Sequence, residues 1–436
     1  IQQFLEHHGI GTNPFADEDA QTDLVFKDHC IASTYHPSWD KVYGNPAEPA
    51  TSIVFGEKGA GKTAMGLQIA RHLAEYNRSH SSGRVYVIQY NDFNPFLDRF
   101  AQRLSPRKRQ SNRLLGQWRL WDHMDAILAL GVTSLVDQIV GARSPSGPVC
   151  NDVDPSDVEG LDRHQARDML VLAACYDQST AETFETRWNR LRRQLRFRTW
   201  HTWWDRVFAA AVTLLVVAVI IYSQRWDWLR TGWPYAIAAA SWLPLLVRLG
   251  KRHWLSGSVV RNMRTGNRSV GMLRKVLSRF TAAELAGQPL PNKRRTDDRY
   301  ELLLKFQGLL QSLRFHGIVV LVDRVDEPHR INGSPELMRA LVWSMLDNKF
   351  LKHPGVGLKL LLPIELSLYL EREDRDFYQR ARLDKQNLVP SLEWTGEALY
   401  DVATARVGAC AIEGQSPTLR GLLDASISDH HIIDVL

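Results

Sequence analysis

A glycine-rich loop between a short apolar segment and a helix places the strongest constraint on the fold of this chain. Residues 51–63 read TSIVFGEKGAGKT. The apolar, β-branched start of this stretch predicts a buried strand, and the next eight residues fit G-x-x-x-x-G-K-[ST] without a mismatch. Apolar residues then recur at helical spacing: Met65, Ile69, Leu73 and Tyr76. A strand, a glycine loop and a helix in this order predict a phosphate-binding loop within a parallel α/β sheet.

The residue types of this loop indicate what it binds. Glycines let backbone N–H groups turn towards phosphate oxygens, and the helix N-terminus adds partial positive charge. Lys62 is expected to reach the β- and γ-phosphates of ATP, and Thr63 to offer its hydroxyl to Mg²⁺. The predicted nucleotide-binding residues are Gly56, Glu57, Lys58, Gly59, Ala60, Gly61, Lys62 and Thr63.

A second apolar segment leads directly into acidic residues. Residues 317–327 read GIVVLVDRVDE, and unbroken apolar character predicts a strand buried on both faces of a parallel sheet. Asp323 would lie at the carboxyl end of that strand and hold Mg²⁺ through water. Asp326 or Glu327 is expected to orient the attacking water as general base, with Lys62 as the third catalytic residue.

Two further segments predict strands of the same sheet. Arg84–Tyr90 is one, and Leu358–Ile364 is the other. The end of the second strand carries Glu365 and Ser367, which are candidates for a polar residue that senses the γ-phosphate.

The two nucleotide motifs are 260 positions apart, and two apolar runs lie between them. Val207–Tyr222 has no charged residue and would be about 24 Å long as a helix. Pro234–Val247 is a second apolar run without a charged residue. Each run is shorter than the roughly 20 residues that usually span a membrane, so a buried core helix is an alternative.

The flanks of these runs favour a transmembrane hairpin. Nine of the 14 tryptophans lie in this region: Trp188, Trp200, Trp203, Trp204, Trp226, Trp228, Trp233, Trp242 and Trp254. Tryptophan gathers at membrane interfaces, and positive residues stay on the cytoplasmic side. Arginine and lysine flank both outer ends: Arg187, Arg190, Arg192, Arg193, Arg196, Arg198, Arg206, Arg248, Lys251, Arg252, Arg261 and Arg264. The connecting loop holds only Arg225 and Arg230, partly offset by Asp227.

This charge pattern predicts an inner or plasma membrane protein with both nucleotide motifs in the cytoplasm. The basic flanks are expected to contact anionic lipid headgroups, with nucleic acid or plain solvation as alternatives. A hydrophobic hairpin for oligomer contacts is the alternative to a membrane span.

Composition adds few constraints. The net charge of +6 fits several partners, and four scattered cysteines, Cys30, Cys150, Cys175 and Cys410, predict neither a disulfide scaffold nor a zinc site. The chain starts at Ile1 and ends after HHIIDVL, which suggests a fragment of a longer protein.

The carboxyl-terminal part is predicted to be mostly helical. A charge-dense segment at 371–385 contains candidates for an arginine finger that reaches a neighbouring subunit, although a solvated helix face is the simpler interpretation. These candidates are Arg372, Arg375, Arg380 and Arg382. Thr395 can cap the next helix, in which Arg406 is a candidate phosphate sensor.

Taken together, the motifs resemble the KAP family of P-loop NTPases, in which transmembrane helices interrupt one P-loop domain. The matching residues are GEKGAGKT at 56–63, the hairpin at about 203–249 and GIVVLVDRVDE at 317–327, with a looser likeness in IQYNDFNPF at 88–96. The resemblance implies phosphate and Mg²⁺ roles for Lys62 and Thr63, an acidic strand role for Asp323, and membrane-located signalling or anti-phage defence.

The expected architecture is therefore a P-loop α/β core interrupted by a helical insertion with a two-helix hairpin. The expected segments are an N-terminal segment 1–50, the first core part 51–143, an insertion 144–290 with spans at about 203–222 and 233–249, the second core part 291–370, and a truncated helical lid 371–436. The expected function is a membrane-anchored ATPase that switches conformation, as a homo-oligomer or with an effector protein. The alternatives are a soluble ATPase acting on DNA and a nucleotide-gated scaffold with little turnover.

Overall fold

The structure, a computed structural model, is an α/β protein with one five-stranded parallel sheet. It describes residues 1–32, 34–141, 151–199, 204–224, 226–423 and 426–436. Several residues named above lie outside these ranges: Cys150, Trp200, Trp203 and Arg225. The strands are β1 Ser52–Gly56, β2 Arg84–Tyr90, β3 Phe315–Val322, β4 Val356–Pro363 and β5 Asn387–Val389.

The strand order is β2-β3-β4-β1-β5. The four strands predicted from apolar segments are confirmed, and β4 lies between β1 and β3, with Leu361 paired to Val54 and Leu358 paired to Val320. The fifth strand, β5, is not among the predicted strands; it has only three residues and pairs with β1 at the edge of the sheet. Because all strands are parallel, their carboxyl ends meet at one edge.

The described residues form 21 α-helices. The helices are α1 Gln2–His7, α2 Trp39–Tyr43, α3 Lys62–Ser79, α4 Asn94–Gln102, α5 Ser111–Leu115, α6 Leu120–Val140, α7 Pro155–Glu159, α8 Arg163–Tyr176, α9 Phe184–Gln194, α10 Trp204–Ser223, α11 Trp233–Asn262, α12 Val270–Leu277, α13 Ala282–Leu285, α14 Thr296–Ser312, α15 Pro335–Val342, α16 Asn348–Leu351, α17 Glu365–Glu371, α18 Arg375–Ala381, α19 Gly396–Ala409, α20 Leu419–Leu423 and α21 Asp429–Val435.

The chain divides into two compact units. The sheet unit contains Ile1–Arg119, the described residues 151–152, and Arg314–Leu436, and the helical unit contains residues 120–141 and the described part of Val153–Leu313. The helical unit extends beyond the predicted insertion 144–290 on both sides, because α6 and α14 pack with α8.

In the sheet unit, α3 packs against β2 and β4 through the predicted apolar face. Met65, Ile69 and Leu73 are buried in the same core as the sheet residues Val54 and Leu361. This packing fixes the first turn of α3, and with it the glycine loop, at the carboxyl edge of the sheet.

In the helical unit, α6 is a buried helix that carries three acidic residues, each paired with an arginine from another segment. Arg264, which follows α11, pairs with Asp122. Arg299 of α14 lies 3.0 Å from Asp125, and Arg187 of α9 lies 2.6 Å from Asp137. Buried charges are tolerated because each has an opposite charge and hydrogen bonds.

The hairpin α10–α11 differs from α6 in its exposure. Two helical segments among the described residues are long and apolar enough to cross a membrane: α6, whose apolar window is 67% buried, and Arg206–Ser223 of α10, which is 11% buried. The helix α10 has 20 residues, rather than the 16 of the apolar run, and is therefore about 30 Å long. The two hairpin helices pack together, and Trp242 Nε1 donates to Thr213 Oγ1 over 3.1 Å.

The tryptophans and arginines around the hairpin do not all occupy the predicted positions. Trp188 is buried in the helical unit and donates to the Leu170 carbonyl, and Trp242 lies within α11 rather than at its end. Trp204, Trp226 and Trp233 do lie at helix ends and are exposed. Arg187, Arg252 and Arg264 are buried and hold protein partners, so the fold withdraws them from the basic surface.

Candidate functional site

The glycine loop 57–61 connects β1 to α3 at the carboxyl edge of the sheet. Gly59 and Gly61 have φ values of +90° and +88°, a backbone region that other residues rarely adopt. The sequence provides glycine at both positions where the loop requires positive φ. These two glycines therefore allow the turn that leads from β1 into the first turn of α3.

Lys62 lies over this loop. Its Nζ donates to the Gly56 carbonyl over 2.8 Å and to the Glu57 carbonyl over 2.6 Å. Burial lowers the pKa of Lys62, and the carboxylates of Asp323, Asp326 and Glu365 oppose this shift. The structure thus brings one ammonium group into the field of three carboxylates, two from the turn after β3 and one from the start of α17.

The contact between Thr63 and Asp323 joins the two predicted motifs. Thr63 Oγ1 donates to Asp323 Oδ2 over 2.8 Å, although the residues are 260 positions apart. Burial raises the pKa of Asp323, while the Thr63 hydroxyl and the backbone N–H of Arg324 favour its ionised form. A hydroxyl and a carboxylate side by side are oxygen ligands of the kind that Mg²⁺ prefers.

The acidic turn after β3 separates the two candidate bases. Asp326 contributes to the field at Lys62, whereas Glu327 is exposed and its Oε1 lies 3.5 Å from Nε of Arg324. Burial raises the pKa of Glu327, and Arg324 opposes this shift. Both acids lie in the turn that starts at Asp323, so the choice of general base between them stays open.

The strand-end segment NDFNPF holds this turn in place from the side of β2. Asn94 Oδ1 accepts a hydrogen bond from the backbone N–H of His329 over 3.1 Å and lies 2.8 Å from its ring Nδ1. Asp98 contacts both His329 and Arg330, at 3.3 Å and 3.0 Å. The loose likeness of residues 88–96 to a strand-end patch thus corresponds to a direct contact with the acidic turn.

Trp394 is a residue of this site that no sequence motif indicates. Its Nε1 donates to the Ala60 carbonyl over 3.0 Å, and its ring would lie 3.5 Å from a Cβ on Gly61. His36 meets the ring edge to face at a centroid distance of 4.8 Å. The backbone N–H of Ser38 donates to Nδ1 of His36, so Nε2 carries the proton and donates to the Glu393 carbonyl. Burial lowers the pKa of His36, which favours this neutral form.

Three of the predicted arginines of the carboxyl-terminal part have other partners in this chain. Arg406 Nη2 lies 2.6 Å from Asp23, and its Nε donates to the Pro14 carbonyl over 2.8 Å. Arg382 lies 3.7 Å from Asp384, and Arg380 lies over the ring of Phe377. Arg372 and Arg375 are exposed, and Ser367 is buried in the first turn of α17, just after β4. Thr395 caps α19 as predicted, by accepting from the Ala398 N–H.

Comparison with protein-family models, with curated proteins and with solved structures found no match for this chain. The assignment to the KAP family stays a prediction from the motifs.

Proposed function

We propose that this protein is a membrane-anchored P-loop ATPase that uses ATP and Mg²⁺ to drive a conformational switch. The observation that carries the proposal is the 2.8 Å hydrogen bond between Thr63 and Asp323 beside Lys62. A glycine loop alone is a common turn, but this loop faces an acidic strand end that lies 260 positions away in the sequence. The strand–loop–helix context of the motif is also present, as the mechanism requires.

The residues of the site fit ATP with Mg²⁺. Among the described residues, no group of three or more His, Cys, Asp or Glu side chains could hold a metal ion by itself. Mg²⁺ at nucleotide sites needs only one or two protein oxygens, because phosphates and water supply the rest. Thr63 and Asp323 would supply these oxygens, and the bound ion would neutralise phosphate charge.

The other residues have separate tasks. The N–H groups of the loop and of the first turn of α3 bind phosphate oxygens, and Lys62 exchanges its two carbonyl partners for the β- and γ-phosphates. Asp326 or Glu327 orients the attacking water and takes its proton. Trp394 holds the loop from the side of Ala60.

The exposed hairpin supports the membrane part of the proposal. Large apolar residues of α10 are exposed by 42–69%: Val207, Phe208, Leu214, Leu215, Val217, Val219 and Ile221. An exposed apolar surface of this kind is stable in lipid or against another protein, and exposed tryptophans at the helix ends favour lipid. The helix α11 continues from the hairpin into the helical unit, where Ser256 and Val259 are buried, so it links the anchor to the rest of that unit.

The test pairs a membrane assay with an activity assay on wild type and Lys62→Ala. The expected result is resistance to carbonate extraction for both proteins, and MgATP hydrolysis by wild type that Lys62→Ala abolishes. Lys108→Ala, an exposed lysine of the same unit, is the matched control and should hydrolyse ATP at the wild-type rate.

The possible failures point to the alternatives. Extraction as a soluble protein would contradict the membrane anchor and favour the DNA-acting ATPase. Retention in the membrane with ATP binding but no hydrolysis would favour the nucleotide-gated scaffold.

A further inference from the structure

Arg324 is the residue directly after Asp323, yet its guanidinium group does not pair with the Asp323 carboxylate. Its Nη2 lies 3.2 Å from both carboxylate oxygens of Asp19, and its Nε lies 3.5 Å from Glu327. Asp323 instead accepts the backbone N–H of Arg324 and the hydroxyl of Thr63. One arginine is thus held between a candidate base and a carboxylate of the N-terminal segment.

The backbone of Arg324 has φ +59°, in the left-handed region. This conformation costs about 1–2 kcal/mol for residues other than glycine. It ends β3 and turns the chain at the position next to Asp323. Arg324 therefore belongs to the acidic turn, and its side chain is only 20% exposed.

Asp19 is set in position by its own surroundings. Its carboxylate accepts the Gln21 N–H over 2.9 Å, and its carbonyl accepts the backbone N–H groups of Thr22 and Asp23. Asp23 in turn pairs with Arg406 of α19, and the side chains of this pair are nearly buried. The N-terminal segment 14–23 is therefore fixed to α19 at Asp23 and presents Asp19 to Arg324.

Arginine is well suited to bind phosphate, because its charge is permanent and its N–H groups form a planar fork. We propose that Arg324 is a γ-phosphate-contacting residue of the nucleotide site, and that Asp19 competes with the phosphate for its guanidinium group. This proposal rests on the proposed function, since it requires a nucleotide at Lys62 and Thr63. A movement of Arg324 to the phosphate would also release Glu327, which frees the candidate base only when ATP is bound.

The competition makes a specific prediction, because ADP lacks the γ-phosphate. Asp19→Asn removes the competing charge and should tighten ATP binding about twofold to fivefold, the range of an exposed ion pair. ADP binding should not change. Asp17→Asn is the matched control, since Asp17 is an exposed acid in the same segment and undergoes the same chemical change.

The experiment measures the dissociation constants of ATP and ADP for the full, detergent-purified chain in the presence of Mg²⁺. A second variant, Arg324→Asn, should weaken ATP binding without affecting ADP, and asparagine tolerates the left-handed backbone. Unchanged ADP affinity shows that each variant keeps its fold. In the double variant, Asp19→Asn should not change the ATP affinity of Arg324→Asn.

Equal ATP affinity of Asp19→Asn and Asp17→Asn, on a protein that binds ATP, would overturn this proposal alone. Equal changes for ATP and ADP would also overturn it. If wild type binds neither nucleotide, the proposed function fails and this proposal fails with it.

Discussion

A charge at the midpoint of α10 tests whether the hairpin lies in a bilayer. The helix runs from Trp204 to Ser223, so its length of about 30 Å matches the hydrocarbon core of a membrane. Leu215 lies near its midpoint and is 63% exposed. In Leu215→Arg the new charge would therefore lie at the depth where it is least tolerated.

The size of the effect follows from this depth. Arginine at the centre of a membrane helix costs about 2.5–3.5 kcal/mol of insertion free energy, and the leucine that it replaces is favourable there. A cost of about 3 kcal/mol corresponds to roughly a 100-fold change in the ratio of inserted to non-inserted chains. Leu304→Arg is the matched control, because Leu304 of α14 is 56% exposed but lies outside the hairpin.

The assay follows insertion of the full chain into microsomes, with an Asn-x-Thr glycosylation acceptor in an extended loop between α10 and α11. Wild type and Leu304→Arg should be glycosylated, because the loop crosses to the lumen, and Leu215→Arg should largely lose the modification. Glycosylation of Leu215→Arg at the wild-type level would refute the reasoning. If wild type is never glycosylated and forms an oligomer that Leu215→Arg does not form, the hairpin is a protein contact.

Two further variants test the sheet unit. Burial lowers the pKa of Lys359 from 10.5 to about 8, so the unfolded chain binds this proton more tightly and the free energy of unfolding rises between pH 8 and 10. Lys359→Met should remove this rise of about 2 kcal/mol in the free energy of unfolding, whereas the control Lys352→Met, at an exposed lysine, should keep it. Hydrogen exchange of the β4 amides measures the free energy at each pH. Equal pH profiles for the two variants would contradict the lowered pKa of Lys359. Trp394→Phe removes the hydrogen bond to Ala60 but keeps the ring, and a neutral hydrogen bond is worth about 1 kcal/mol, so the ATP dissociation constant should rise about fivefold. An unchanged constant would mean that the contact does not hold the loop for binding.

The parts of the site that lie within short stretches of sequence could be predicted. The glycine loop runs directly into Lys62 and Thr63 in the sequence. The long apolar run before Asp323 is by itself enough to identify a buried strand. Parallel strands that end at one edge then bring Asp323 towards Thr63, although neither segment specifies the distance. The strand β5 could not be predicted, because three residues carry no detectable alternation.

Contacts between segments that are distant in the sequence could not be predicted from local sequence patterns. Nothing near Trp394 in the sequence indicates that its indole reaches Ala60, and nothing near Asp19 indicates Arg324. Trp188 illustrates the opposite error, since its closeness to the apolar runs suggested a membrane interface while the fold buries it in the helical unit. Local composition identifies helices and loops, but tertiary packing decides which of their side chains are exposed.

The ion pairs on α6 join the carboxyl end of α11 to α14 within the helical unit. Arg264, just beyond α11, pairs with Asp122, and Arg299 of α14 pairs with Asp125 one turn further along the same helix. Breaking one partner of a buried pair costs about 3–5 kcal/mol, so α11, α6 and α14 are expected to move together. Cross-linking distances between α11 and α14 that change on addition of ATP would contradict this rigid link.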